Sequence, residues 1–233
     1  MPRRQIPLVN NEIYHVALRA VGDTVIFNNI DDNYRGIFSL YEFNNKNFIE
    51  IRRRRKERKK EKASGSPTPA DRDLLVEIMV FSFMPNHIHL LLRQIKDNGI
   101  TRFMKKLGGG YANYFNKKYN RKGHLFNQFR SVHVGTDEQL RNVFLYIHAN
   151  AISLIEPGWK EMGVKNSERV IDFLENYKWH SYMDYLGGKN FPSVISKDFL
   201  LNAMGGEMGC RELLENWVRY KKESENFAEI ILE

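Results

Sequence analysis

The tract LLVEIMVFSFMPNHIHLLLR, residues 74–93, limits the possible folds more than any other part of the chain. LLVEIMVFSF is a nearly continuous apolar run of strand length, and HIHLLLR reads as a second strand. Proline cannot donate to a sheet ladder, so Pro85 separates the two runs and predicts neighbouring strands of a hairpin. Alternate residues of a strand share a face, so His87 and His89 project together while Ile88 points into the core.

Other segments supply partners for that hairpin. EIYHVALRA, residues 12–20, predicts a first strand with Tyr14, Val16 and Leu18 on one face and His15, Ala17 and Arg19 on the other. IDDNYRGIFSLYEFNNKN reads as a helix capped by its aspartates. Residues 98–119 read as a helix with a kink at Gly108, Gly109 and Gly110, since each glycine costs about 1 kcal/mol relative to alanine. GHLFNQFRSVHVG predicts a turn and a strand. Thr136 then caps a helix bearing Leu140, Val143, Phe144, Ile147 and Ala151 at helical spacing. The order strand, helix, two strands, helix, strand, helix predicts an α+β fold: an antiparallel sheet of ferredoxin-like type with helices on one face. Residues 1–156 form this expected core, and residues 157–233 an acidic, helical C-terminal region.

Charge is unevenly placed. The 233 residues carry a net charge of +8. Residues 52–62, RRRRKERKKEK, read as a solvated tract that flows into a Ser/Pro/Gly stretch, so 52–72 is expected to be a flexible linker. Residues 98–136 hold eight cations and no acid. Their cations alternate with aromatics, the pattern of a single-stranded nucleic acid groove, although most of those aromatics also fit a helix core. Lys117, Lys118, Arg121 and Arg130 are the candidate backbone contacts, with His15 and Arg19 lining the same cleft. No apolar run has the roughly 18 residues of a spanning helix, and the first residues lack a signal-peptide core, so a cytoplasmic protein without a membrane partner is expected. A single Cys210 leaves metal binding to nitrogen and oxygen ligands.

His-x-His alone is a weak metal signal. Tyr146 and Asn150 strengthen it, because residues four apart on a helix overhang one point, and a hydroxyl beside a neutral oxygen ligand is useful next to a metal. MPNHIHLLLR matches the signature of the HUH single-strand endonucleases. The set YHVALRA, MPNHIHLLL, YANYFNKKYNRKGHLFNQFRS, YIHAN and WHSYMDYLGG resembles the REP-associated tyrosine transposases and their insertion-sequence relatives, in the family's order and over nearly the whole chain. The chain departs at Ala151, where the family usually has proline, and in its glycine triplet and basic tract.

The resemblance implies a metal-dependent single-stranded DNA endonuclease and strand transferase that cuts beside DNA hairpins. It places the nucleophile on Tyr146 and the ligands of Mg²⁺ or Mn²⁺ on His87, His89 and Asn150. It also implies a 5′-phosphotyrosine intermediate, a hairpin or palindromic DNA partner and a bacterial, nucleoid-associated location. A homodimer, with Tyr146 serving its own site or a partner's, stays open. The alternative is a domesticated, catalytically silent binder of DNA or RNA hairpins.

Overall fold

The computed structural model describes residues 7–64 and 72–220. Four strands form one antiparallel sheet: β1 (Ile13–Arg19), β2 (Val76–Met84), β3 (His87–Gln94) and β4 (Arg130–Val134), in the order β2-β3-β1-β4. β2 and β3 are the expected hairpin, with Met84 opposite His87. Helix α1 (Ile30–Phe43) connects β1 to β2 and α3 (Gly99–Lys118) connects β3 to β4, which gives the two split βαβ units of the ferredoxin-like arrangement.

The register defines two faces. Leu18 is opposite Ile88 and Val16 opposite Leu90, whereas Ala17 is opposite His89 and Arg19 opposite His87. α1 and α3 cover the first face: Gly108 of α3 lies against Leu18, and Phe27 stacks on Phe83 while meeting Tyr111 edge-on. The histidine face is covered as well. Helix α4 (Asp137–Ala149), capped by Thr136 Oγ accepting from the Gln139 N–H at 3.1 Å, sets Tyr146 against His15 and His89. The expectation of helices on one face is therefore corrected. β3 is apolar at Ile88 and at Leu90, Leu91 and Leu92, which fall on both faces, and such a strand has to be covered on both sides.

The basic tract is also corrected. Ile51–Ser64 is a helix, α2, and not a loose linker. Arg54 and Arg58 reach the buried Glu42 carboxylate of α1 at 3.4 and 2.8 Å, and Arg58 lies over the Tyr41 ring. Arg53 and Glu57 form an i,i+4 pair at 2.8 Å. A buried acid on the preceding helix gives the cations a partner, which a reading of the charge run alone does not supply. The remainder of the expected linker, residues 65–71, lies outside the described residues.

The C-terminal region comprises α5 (Trp159–Met162), α6 (Ser167–Asn176), α7 (Tyr182–Tyr185), α8 (Asp198–Ala203) and α9 (Gly206–Tyr220). It shares one buried apolar cluster with the sheet through Trp159, Val170, Tyr182 and Leu214. It also covers the outer edge of β2: Phe83 N–H donates to Trp179 C=O at 2.8 Å, and Ser181 N–H to Phe81 C=O at 3.0 Å. An open strand edge would otherwise invite pairing with another chain.

The glycine triplet does not break α3, which runs unbroken through it. Gly110 is where α3 meets the Phe43 ring of α1, and a Cβ there would clash with that ring, whereas a Cβ on Gly109 meets nothing. Gly110→Ala should therefore destabilise the protein by about 1–3 kcal/mol through overpacking. Gly109→Ala should stabilise it by roughly 0.5–1 kcal/mol. Urea titration of both variants checks the opposite signs.

Candidate metal and nucleophile site

β3 places His87 and His89 on the α4 side with ring centroids 4.7 Å apart and planes nearly perpendicular. Tyr146, on the inward side of α4, puts its ring 5.5 Å from that of His89 and 5.6 Å from that of His15, edge-on to both. Asn150 ends α4, its N–H donating to the Tyr146 carbonyl as the chain tightens into a 3-10 turn over Asn150–Leu154. A cavity of about 220 Å³ opens beside these groups, lined by Arg19, His87, Asn150, Ser153, Trp159 and Lys160 among others. The structure thus brings Tyr146, His87, His89 and Asn150 to one face within a single chain.

A chain of hydrogen bonds orients His87. Arg19 donates to Asp23 Oδ1 at 3.0 and 2.6 Å, and Asn86 Nδ2 donates to the same oxygen at 3.0 Å. A carboxylate at neutral pH only accepts, so Asn86 turns its amide oxygen to His87, whose Nδ1 lies 2.6 Å away and must donate. The Arg19 guanidinium beside Asp23 holds that carboxyl below the usual carboxylate range. In the neutral ring that hydrogen bond leaves the lone pair on His87 Nε2, the form a cation binds.

His89 is 0% exposed, and burial pushes its pKa well below the ordinary value, with the charges of His15, His87, Lys160 and Arg19 acting in the same direction. It is a neutral imidazole at pH 7. Its Nε2 is buried without a hydrogen-bond partner, as is Asn150 Nδ2. A half turn of that amide exchanges Nδ2 for the oxygen. Two imidazoles, that of His89 neutral, and an amide oxygen, two of these groups with an orphaned polar atom, fit a divalent cation with open coordination positions. Among the described residues no group of three or more His, Cys, Asp or Glu is placed to hold a metal ion, so the remaining positions would fall to water or substrate oxygens.

The candidate DNA contacts divide. Arg19 lines the cavity, and Arg130, opposite Ala17 on β4, is exposed on the same face of the sheet. Lys117 and Lys118 end α3, which packs on the opposite face, and Arg121 follows just beyond it. Lys118 is ion-paired with the buried Asp32 at 2.6 Å and bonded to Tyr114, so it ties α3 to the start of α1. Arg121 donates to Asn116. His15 is corrected from cleft to interior: it is 0% exposed, and its Nε2 lies 3.0 Å from His89 Nδ1.

Sequence reading missed Asn86 and Asp23, whose roles depend on hydrogen bonds between separate loops. It also missed Lys160, whose ammonium lies 5.4 Å over the Tyr146 ring. Lys160 comes from a four-residue helix with no motif of its own, so no sequence signal marks it.

The comparisons with known proteins bear on this geometry. Residues 48–150 match the model of the family described as "Transposase IS200 like". The matched span, less than half of the chain, takes in three of the five motifs and holds His87, His89, Tyr146 and Asn150, whereas YHVALRA and WHSYMDYLGG lie outside it. β1, with His15 and Arg19, precedes the match to this transposase family, and Lys160 follows it. No curated protein matches the chain. Among solved structures, the chain is similar to a REP-associated tyrosine transposase bound to a REP hairpin, at 12% identity over 85% of this chain and 93% of that one, with a TM-score of 0.46. It is also similar to a bacterial tRNA(His) guanylyltransferase-like protein in complex with ATP, at 11% identity over 75% and 73% of the two chains, with a TM-score of 0.38. No helix among the described residues is long and apolar enough to cross a membrane.

His89, His148 and His180 are all fully buried and held neutral by burial, His180 with its pKa down to about 4. The unfolded chain takes up protons on these rings below about pH 6.5 while the folded chain does not. Folding stability should therefore be full above that pH and decline as pH falls from about 6.5 towards 4. Thermal unfolding recorded across this range checks it, and a Tm that does not fall would contradict the buried, neutral state of the three rings.

Proposed function

We propose that the chain is a metal-dependent single-stranded DNA endonuclease and strand transferase that acts beside hairpins and uses Tyr146 as nucleophile. The observation that carries this reading is the convergence, inside one chain, of the Tyr146 ring with two strand imidazoles and an amide, two of these groups with an orphaned buried polar atom. The transposase family match over residues 48–150 supports the same chemistry.

His87, His89 and Asn150 would hold Mg²⁺ or Mn²⁺, and that ion would polarise the scissile phosphate and offset the charge that builds on it. The protein's own residues do the remainder. Tyr146 Oη forms the new bond to phosphorus as the bond to the 3′ oxygen breaks. The phenol proton leaves, and the departing 3′ oxygen takes one up. The product is a 5′-phosphotyrosine and a free 3′-hydroxyl, and the phosphodiester energy is kept for transfer to another end. Arg19 and Lys160 bring positive charge to the cavity where phosphate oxygens must sit. Tyr146 is 1% exposed, so a phosphate reaches it only after covering side chains swing aside. Lys160, on a long flexible stem over the ring, is placed to be one of them. Arg130 and the exposed Lys117 extend the positive surface available to the strand and its hairpin.

Burial of the phenol is the one observation that favours a silent hairpin binder, and a covalent-adduct assay separates the two. With Mn²⁺ and a 3′-labelled single-stranded oligonucleotide carrying a hairpin, wild-type protein should acquire label that survives denaturing electrophoresis. Tyr146→Phe should abolish the adduct and bind the oligonucleotide within about a factor of three of wild type, since phosphate contacts set most of the affinity. Lys160→Ala should slow adduct formation by about tenfold or more. A wild-type adduct retained in Tyr146→Phe would move the nucleophile elsewhere.

A further inference from the structure

We propose that His15 is a positioning residue, which accepts a hydrogen bond from His89 Nδ1–H and so keeps the Nε2 lone pair of His89 available for a cation. The inference rests on the metal-site reading above and assigns a role to a residue outside the span of the family match. His15 Nε2 and His89 Nδ1 are 3.0 Å apart and both rings are fully buried, with centroids 5.2 Å apart.

A hydrogen bond between two imidazoles has one N–H and one lone pair, so two arrangements are open. In one, His89 carries its proton on Nε2, and Nδ1 accepts from His15. In the other, His89 carries it on Nδ1 and donates to His15, which then carries its own proton on Nδ1. The surroundings of His89 Nε2 decide between them. That atom is buried and has no hydrogen-bond partner. A buried N–H without an acceptor is rarer and more costly than a buried acceptor whose lone pair is unmet. The favoured arrangement leaves the lone pair on Nε2.

His87 provides an independent parallel. Its Nδ1 is made to donate by the Asp23–Asn86 relay, so that in the neutral ring the lone pair falls on Nε2. Each histidine of the His-x-His pair is thus backed at Nδ1 by a neighbouring acceptor, Asn86 Oδ1 for one and His15 Nε2 for the other. β1 supplies the second because Ala17 is opposite His89, which leaves room above it, and His15 sits two residues along on the same face. Loss of a hydrogen-bonding partner behind a metal-bound histidine typically weakens metal affinity by about 10–100-fold.

The test has two readouts. In metal-free wild-type protein, long-range ¹H–¹⁵N correlation spectra of the histidine rings should show His89 protonated at Nδ1. In His15→Phe the population should shift towards the Nε2–H form, and Mn²⁺ affinity measured by titration calorimetry should fall by about tenfold or more. His15→Gln, whose side-chain oxygen reaches a similar point and can accept, should keep the Nδ1–H form and recover most of the affinity. His89 protonated at Nε2 in the wild type, or Mn²⁺ binding unchanged in His15→Phe, would overturn the proposal. If His15→Phe fails to fold, the wild-type tautomer and the glutamine variant still decide it. His89→Ala separates this inference from the site reading. Unchanged Mn²⁺ binding there defeats the metal site itself, whereas binding that needs His89 but ignores His15 defeats only the positioning role.

Discussion

Burial of three imidazoles and a phenol on one side of a four-stranded sheet is the constraint around which the molecule is organised. A polar ring taken out of water costs free energy unless its nitrogens are paired, so each of these groups needs a neighbour within hydrogen-bond reach. β1 supplies His15 for His89, the β2–β3 turn supplies Asn86 for His87, and Asp23 and Arg19 hold Asn86 in turn. The opposite face of the same strands has no such demand. Leu18, Ile88 and Leu90 meet α1 and α3 there in an apolar layer, and that layer fixes the strands against which the polar face is registered.

Much of this was legible because the relevant residues are local. Strand alternation alone puts His87 and His89 on one side, and the β3 register shows them there. The Thr136 cap sets the start of α4, and helical spacing then sends Tyr146 and Asn150 to the same sheet face. The two-layer expectation failed because helix placement depends on which faces of the strands are apolar, and β3 carries leucines on both faces. The basic tract misled for a related reason: Glu42, whose carboxylate makes a helix of it worthwhile, is ten residues before Arg52 and looks like an ordinary surface acid in sequence.

The cations show the limit of reading charge along a chain. Residues 98–136 look like one electropositive surface, yet the fold sends Lys117, Lys118 and Arg121 to one face and Arg130 to the other. Asp32, which reads in sequence as half of a helix-capping pair, accepts from Lys118, Tyr114 and Tyr119, and Asn29 caps the helix. Its carboxyl stays below the ordinary range despite burial, because those three donors outweigh the desolvation. Lys118 therefore serves the α1–α3 junction. Charge counted by sequence block could not separate a cation that faces solvent from one that faces a buried acid.

The C-terminal region is tied to the site by position and not only by packing. Its segment around Trp179 and Ser181 closes the edge of β2, the strand that is hairpin partner to β3, and its first helix brings Trp159 and Lys160 to the cavity wall. The edge contacts steady the hairpin that carries His87 and His89, while Lys160 lies over the ring of Tyr146. A chain ending after α4 would keep the four residues of the sequence motif but lose one wall of the cavity, the cation over the phenol and the pairing of an exposed strand edge. The groups packed around Tyr146, His87 and His89 thus include residues from both sides of the span 48–150, His15 and Arg19 before it and Lys160 after it.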